Sequence, residues 1–378
     1  MSESPAASPS GRTWTQATPA QDVRFGVGVL GQVSSMLRDL GVRRALLVTT
    51  AGRRQSDGGE RLERAMGRAR VATFAGVVAH LPADVVRQAF EQARQEGADG
   101  IVSFGGGSTT DCGKAVSFFV EQQAGTPGRT VLDRPAVPHL AIPTTYSPGV
   151  LGGLFAMTDP RTRTKAATGS PTTAPSAAVY DPSLVVDLPA DVVAGSALDA
   201  LAAGVQGVLD AGRSPETETL ALAAAQRISG VLPLVVDTPG DLLVSSDLME
   251  AAVLASRVLQ QTSVSVVSVL AQLLGGRTGG AHGSLIAVLL APTMRWELQA
   301  DPVAFSRLAE ALGGTDDAAT EVAELAQRVG APDRLGALGV DYDDIAAVAR
   351  LSQAHPAIRD ARPPLDEAGV LELLGPVI

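Results

Sequence analysis

Short apolar runs alternate with helical patterns in the first half of the chain. Residues 43–50 and 100–104 are apolar, β-branched runs of strand length, and each stops close to a glycine. Between them, residues 83–96 carry apolar side chains at helical spacing. Residues 136–142 form another strand pattern, which ends at Pro143. This alternation predicts a largely parallel sheet with helices on both faces.

After Pro189 the pattern becomes helical, with shorter amphipathic helices from residue 301 to the C-terminus. Four long, mostly apolar helices precede them and are predicted at residues 194–209, 216–232, 247–274 and 285–300.

The sequence therefore predicts two domains behind a loose tail. The tail covers residues 1–22, an α/β domain covers 23–188, and an all-helical domain covers 189–378. The cleft between the domains is the expected place for a ligand.

Composition narrows the class of protein. The first 20 residues lack the basic start and apolar run of a signal peptide, and the longest apolar stretch, residues 262–275, is too short to cross a bilayer. A net charge of -10 disfavours a nucleic-acid partner. The single cysteine, Cys112, excludes an intramolecular disulfide and fits a reducing compartment. We expect a cytoplasmic protein with no membrane partner.

A glycine-rich segment, GGGSTTDCGKA at residues 105–115, directly follows the strand at 100–104. Its glycines allow the backbone to turn tightly and approach a ligand. Ser108 and Thr109 are expected to cap the next helix, whose N–H groups suit a phosphate. The segment matches neither GxGxxG nor Walker A. A glycine turn that only reverses the chain is the alternative.

A second polar turn, at residues 141–149 (AIPTTYSPG), places Thr144 and Thr145 after a strand. Ligands gather outside the carboxyl ends of strands in open α/β sheets, so both threonines are candidates for a ribose or phosphate contact. A capped turn explains them equally well.

The order of these motifs resembles the iron-containing (group III) alcohol dehydrogenases. FGVGVL near residue 25 is followed by GGGSTTDCGKA, PTTY, TKAATGS and VYDPSLVVDLP. PTTY and the wording of the N-terminal half are most similar to maleylacetate reductases. The resemblance implies a dehydroquinate-synthase-like superfold with a Rossmann-like α/β domain, NAD(P)H as cofactor and a homodimer.

The resemblance also implies residues that bind the cofactor. Gly106, Gly107 and Ser108 match the positions that hold its pyrophosphate. Thr144 and Thr145 match the side of the nicotinamide ribose.

Five further positions match the family's nucleotide side. Asp111 and Lys114 lie on the helix after the glycines, Lys165 is the cofactor-contacting lysine, and Thr49 and Thr50 fall at the adenosine end. Thr50 replaces an acidic residue that would bind a ribose 2′-OH, so NADPH is not disfavoured. The chain has no other lysines among its 30 basic residues, which by itself is equally well explained by chance. Because both lysines match motif positions of the family, the resemblance favours a functional role for them.

The metal site that the resemblance implies is incomplete in this sequence. Metal-using members hold a divalent cation with an Asp, a His four residues later and two further His ten residues apart. Asp199 and His282 are present, but Ala203 and Gln272 stand at the other two positions. Because glutamine is a poor ligand for zinc or iron, we expect no tightly bound metal.

Three residues are candidates for catalysis. His282 is the expected proton donor, with a plain loop histidine as the alternative. Gln272 is expected to hydrogen-bond the substrate oxygen. Arg277 can bind a substrate carboxylate bidentately, or simply face solvent. The remaining histidines match no catalytic position and are expected to be structural: His80, His139 and His355.

Together these residues predict a metal-independent, NAD(P)H-dependent reductase of a small carboxylated keto or enol substrate. An activated double bond of that kind needs less Lewis-acid help than an isolated alcohol. A non-redox lyase or cyclase that reuses the cleft is the alternative, and a binding subunit without catalysis is a third.

Overall fold

A computed structural model describes residues 14–297, 301–314 and 317–378, so most of the predicted tail lies outside the described residues. In this part of the chain the strands are β1 (Asp22–Phe25), β2 (Ala45–Thr49), β3 (Arg70–Phe74), β4 (Gly100–Gly105), β5 (His139–Pro143), β6 (Leu154–Asp159), β7 (Thr164–Gly169) and β8 (Ala177–Tyr180).

The helices of the α/β half are α1 (Val33–Asp39), α2 (Ala51–Arg54), α3 (Asp57–Met66), α4 (Ala83–Gln95) and α5 (Gly107–Ala124). Those of the helical half are α6 (Ala190–Leu209), α7 (Pro215–Asp237), α8 (Leu242–Leu259), α9 (Val266–Thr278), α10 (His282–Glu297), α11 (Pro302–Leu312), α12 (Ala318–Arg328), α13 (Tyr342–Ser352), α14 (Pro356–Arg359) and α15 (Glu367–Leu374).

Six strands form one parallel sheet in the order β1-β8-β5-β4-β2-β3, which confirms the predicted fold class. The chain moves outward from β2 to β3 and then returns to the other side of β2 as β4. The carboxyl ends of β2 and β4 therefore flank a topological switch point, where ligands of such sheets bind. A separate antiparallel hairpin, β6–β7, was not expected from the sequence.

Strand β2 shows why its residues read as an uninterrupted apolar run. All five are buried, and alternate side chains enter two different cores. Leu47 packs with the core that α1 and α3 cover, whereas Leu46 and Val48 pack with the core under α4 and α5. A parallel strand covered on both faces has no polar side, so it shows no alternation.

The predicted helix at residues 247–274 is wrong, because the chain forms two helices there, α8 and α9. The backbone N–H and hydroxyl of Ser263 both donate to Asp210, at 2.9 and 2.6 Å. Ser265 accepts from the N–H of Ser268 at 3.2 Å and begins α9. Such side-chain bonds compete with the helix and break it.

Helices α6 and α7 are each long and apolar enough to cross a membrane, by length and composition alone. Most of α6 is buried inside the protein, where it packs against α7, α8 and α10. A core helix passes the same test as a membrane span, so this property is weak evidence for a bilayer. The strands end at Tyr180 and α6 begins at Ala190, which brackets the predicted domain boundary.

Candidate active site

A cavity of about 570 Å³ opens between the α/β domain and the helical domain. Gly107, Ser108 and Thr145 line it from the sheet side, and Gln272 and His282 line it from the helical side. The cavity thus joins the predicted nucleotide segment to the predicted catalytic residues.

The glycine segment leaves the start of α5 open to this cavity. Gly106 is the N-cap residue, and no side chain caps the helix. The expectation that Ser108 and Thr109 cap it is therefore wrong, since both lie inside the first turn. A Cβ on Gly107 would meet nothing within 4 Å, so the space in front of this turn is available to a ligand.

Gly105 is required by the turn itself. Its φ is 157°, and a Cβ there would lie 2.5 Å from Oγ1 of Thr109. The backbone N–H of Thr144 donates to the carbonyl of Gly105 at 3.0 Å, which joins the two predicted motifs. Thr144 is fully buried, whereas Thr145 faces the cavity.

Asp111 and Lys114 hold the β-hairpin against α5. A carboxylate oxygen of Asp111 accepts from the N–H of Ala156 at 3.1 Å. The ammonium of Lys114 is fully buried and donates to the carbonyls of Gly149 at 2.6 Å and Leu154 at 3.1 Å. Burial lowers the pKa of Lys114 to about 8 and raises the pKa of Asp111. Asp111 still lines the cavity, but Lys114 does not.

The two adenosine-side threonines have different surroundings. Thr49 is fully buried, and its hydroxyl donates to the carbonyl of Phe104 at 2.7 Å. That bond leaves Thr49 no proton to offer a cofactor. Thr50 is partly exposed and accepts from the N–H of Arg53 at 3.1 Å.

Lys165 reaches the cavity from β7, beside the end of α9. A Cβ on Gly276 would lie 2.7 Å from the backbone nitrogen of Lys165, so only glycine allows this strand to pack so closely on α9.

Two glycines bring the catalytic candidates together. A Cβ on Gly283 would lie 2.3 Å from the carbonyl oxygen of Gly195, so α6 and α10 touch backbone to backbone. Asp199 lies one turn after Gly195 on the same face of α6. The close contact between the two helices places Oδ1 of Asp199 3.8 Å from Nε2 of His282, the first residue of α10.

Burial dominates the charges of this pair. It raises the pKa of Asp199 to about 7, partly opposed by Lys165. It lowers the pKa of His282 to about 3, with Lys165 and His80 acting in the same direction. At neutral pH His282 is therefore neutral. Its Nδ1 is buried and has no hydrogen-bond partner among the described residues.

Arg277 does not join this cluster. Its Nε donates to Oδ1 of Asp344 on α13 at 2.9 Å, and it is absent from the described cavity lining. The carboxylate that it pairs with comes from this protein, so Arg277 ties α9 to α13.

His80 was expected to be structural, yet it lines the cavity. Its Nε2 lies 2.9 Å from the carbonyl oxygen of Gly279, across the cleft. His80 and Leu81 both adopt positive φ, at 61° and 45°, and the hydroxyl of Thr158 donates to the carbonyl of His80 at 2.7 Å. Strained backbone of this kind clusters at functional sites. In the sequence, the one signal of an unusual backbone here is Pro82, which directly follows Leu81.

The other two histidines lie elsewhere. His139 is buried against the hydroxyl of Ser103 at 2.7 Å, and His355 caps α14. Cys112 is buried, and burial raises the pKa of its thiol, so it is not an activated nucleophile.

Two family profiles match nearly the whole chain. The one described as iron-containing alcohol dehydrogenase covers residues 20–182, and the one described as Fe-containing alcohol dehydrogenase family, C-terminal, covers residues 193–375. The chain belongs to the iron-containing alcohol dehydrogenase family. It is therefore an enzyme of the oxidoreductase class, as predicted.

Maleylacetate reductases are among its relatives in this family. The protein of that name from Rhizobium sp. (strain MTP-10005) is 32% identical over 338 residues, which make up 89% of this chain and 90% of the relative. The crystal structure of maleylacetate reductase from Rhizobium sp. strain MTP-10005 has a TM-score of 0.82 at 30% identity, covering 97% and 98% of the two chains. A crystal structure of 1,3-propanediol oxidoreductase has a TM-score of 0.89 at 26% identity, covering 97% and 100%. The predicted resemblance is confirmed.

The residues of the implied metal site do not form a set suited to iron or zinc. Asp199 and His282 are two good donors, but Ala203 contributes a methyl group and Gln272 a neutral amide. Across the described ranges, three or more His, Cys, Asp or Glu side chains come together nowhere in a way that could hold a metal ion.

Proposed function

We propose that this enzyme is an NAD(P)H-dependent reductase that acts, without a resident metal ion, on a small carboxylated keto or enol compound. The observation that carries the proposal is that one and the same cavity is lined by the uncapped start of α5 and by Asp199, Gln272 and His282. The maleylacetate reductases related to this chain support the substrate class.

The residues present fit a dinucleotide cofactor. The N–H groups at Gly107 and Ser108 would hold its pyrophosphate, because they start a long helix that no side chain caps. Thr145 and Lys165 line the cavity between this turn and the helical domain. When bound, such a cofactor supplies a hydride.

The proton would come through the Asp199–His282 pair. Nδ1 of His282 is the nitrogen without a partner, and Nε2 faces Asp199. Nε2 of His282 would take the proton of the neutral Asp199 carboxyl and pass it to the reduced substrate, so that His282 ends neutral and Asp199 is left as a carboxylate. The 3.8 Å separation must shorten by about 1 Å for this transfer, since a hydrogen bond needs closer contact.

Lys165, which the family resemblance assigns to the cofactor, would also attract a substrate carboxylate bound beside it. Arg277 is paired with Asp344. Among the described residues that line the cavity, Lys165 is the one lysine, and no arginine occurs. Gln272, one turn before Gly276 on α9, would donate its amide N–H to the substrate oxygen.

A titration followed by an assay tests the function. NADH or NADPH fluorescence is titrated with the full-length protein in EDTA, and maleylacetate is then added. We expect saturable binding of a nicotinamide nucleotide and oxidation of it by the keto acid. Absence of nucleotide binding would refute the proposal, and turnover without any nucleotide would favour the lyase or cyclase instead.

Two further properties belong to the same proposal. We expect the enzyme to work in the cytoplasm, with neither a membrane nor a nucleic acid as partner. We also expect a homodimer, which light scattering on the purified protein would detect.

A further inference from the structure

Arg53 lies beside the part of the sheet where the nucleotide is expected. It belongs to α2, the turn that begins directly after β2. Strands β2 and β4 are neighbours, with Thr49 opposite Phe104, so this turn and the glycine segment end at the same edge of the sheet. The topological switch point lies between them.

The guanidinium of Arg53 is half-buried and has no acidic partner among the described residues. Its neighbours differ in this respect. Arg54 pairs with Glu63 at 3.2 Å, and Arg61 pairs with Asp57 at 3.5 Å. Partly buried charges are normally paired, so a lone guanidinium here suits an anion that comes from outside the chain.

The surrounding segment also favours an anion. Residues 50–56, TAGRRQS, contain no acidic residue. Thr50 accepts from the N–H of Arg53, which leaves its hydroxyl proton free to donate. In place of a carboxylate that would bind the 2′-OH of an adenosine ribose, this turn therefore offers the guanidinium of Arg53 and the hydroxyl of Thr50.

We infer that Arg53 and Thr50 bind the 2′-phosphate of NADPH and make this enzyme prefer NADPH over NADH. The inference rests on the proposed function, because it requires a nicotinamide dinucleotide in the cleft. A guanidinium binds phosphate through two parallel charge-assisted hydrogen bonds, which NADH cannot receive at that position.

Binding of the two nucleotides to variants tests this assignment. Dissociation constants for NADPH and NADH are measured by fluorescence titration of the full-length protein. Arg53→Gln should weaken the binding of NADPH by about 10- to 100-fold and leave the binding of NADH nearly unchanged. Arg54→Gln is the matched control on the same helix and should change neither, because Arg54 is paired with Glu63.

A second variant guards against a folding defect. Thr50→Asp keeps an N-cap residue on α2, since aspartate caps helices as well as threonine does. It adds a carboxylate beside Arg53 and should reverse the preference toward NADH. Adenosine 2′,5′-bisphosphate should raise the Tm of the wild type more than 5′-AMP does, and Arg53→Gln should abolish that difference.

The outcomes separate this inference from the function beneath it. Equal losses for both nucleotides in Arg53→Gln, or a wild type that binds NADH as tightly as NADPH, would overturn the inference and leave the reductase intact. A protein that binds neither nucleotide would overturn both.

Discussion

Nε2 of His282 lies 3.8 Å from Oδ1 of Asp199, and both side chains face the interdomain cavity. Burial moves their pKa values in opposite directions, so the carboxyl holds its proton up to about pH 7 while the imidazole stays neutral. Under the proposed function, this pair would pass a proton to the substrate.

The first prediction concerns the titration of Asp199. Its folded-state pKa of about 7 lies above the ordinary 3.8, so the folded protein binds this proton more tightly than the unfolded chain. Taken alone, this group should lower stability as pH rises from about 4 to about 7. The lowered pKa of His282 acts in the opposite direction, so the contribution of Asp199 must be measured as a difference between wild type and variant. Asp199→Asn removes this titration. The Tm of the variant should therefore rise relative to that of the wild type as the pH increases from about 4 to about 7. A pH-independent Tm difference would contradict the raised pKa.

The same group should govern the rate of reduction. If Asp199 supplies the proton, kcat falls as pH rises through about 7. Asp199→Asn should be slower than wild type at acidic pH and should lose this pH dependence. A fall that persists in the variant would assign the titration to another group.

Replacing His282 should affect the chemical step rather than nucleotide binding. His282→Ala should lower kcat by about 10²–10⁴-fold, the usual contribution of a positioned proton donor. The Kd for NAD(P)H should stay near that of wild type. His355→Ala, at the cap of α14, is a control that should leave kcat unchanged. Normal turnover by His282→Ala would end its role as donor.

Gly107→Val should separate nucleotide binding from folding. A Cβ at Gly107 enters open cavity rather than protein, so the fold should survive while the pyrophosphate loses its space. Nucleotide affinity should fall sharply in titrations. Gly230→Val, on α7, is the matched control, because a Cβ at Gly230 also meets nothing within 4 Å. This variant should keep wild-type affinity. Equal affinity in both variants would place the nucleotide elsewhere.

Metal content can be tested by removal and by repair. Elemental analysis should find no stoichiometric zinc or iron, and EDTA should leave activity unchanged. The double variant Ala203→His, Gln272→His restores the two missing donors of the family's set and should gain affinity for a divalent cation. One metal ion per wild-type chain would refute metal independence.

His80 should support the turn that carries His282. His80→Ala removes the hydrogen bond to Gly279 and should cost about 0.5–1.5 kcal/mol of the free energy of unfolding. A misplaced turn should also lower kcat by up to about 10²-fold, with little change in nucleotide Kd. His80→Asn tolerates positive φ and helps to separate backbone strain from the lost ring. An unchanged kcat in His80→Ala would confine His80 to a structural role.

Local patterns in the sequence were sufficient for the central strands of the parallel sheet and for α4, although not for the β6–β7 hairpin. The strand at Gly100–Gly105, the glycines after it and the helix Ala83–Gln95 are set by burial, turn chemistry and spacing within a few residues. The family's motif order then predicted which residues would share a cleft, and Gly107, Thr145, Lys165 and His282 do line one cavity.

Contacts between distant segments were beyond such patterns. Arg277 looks available in the sequence, but Asp344 pairs with it from 67 residues away. The break between α8 and α9 depends on Asp210, far from Ser263 in the chain. In each case a polar partner from a distant segment of the chain decides the structure, and neither spacing nor propensity reports it.

The complete burial of Lys114 has a practical consequence. The chain contains two lysines, and an amine-reactive reagent cannot reach the one whose ammonium is enclosed between Gly149 and Leu154. The remaining lysine, Lys165, stands at the wall of the cleft. Arginine-rich composition thus gives this enzyme one accessible side-chain amine, and a fluorescent or crosslinking ester would label Lys165 at the cleft, in addition to the α-amine of the chain, without any engineered cysteine.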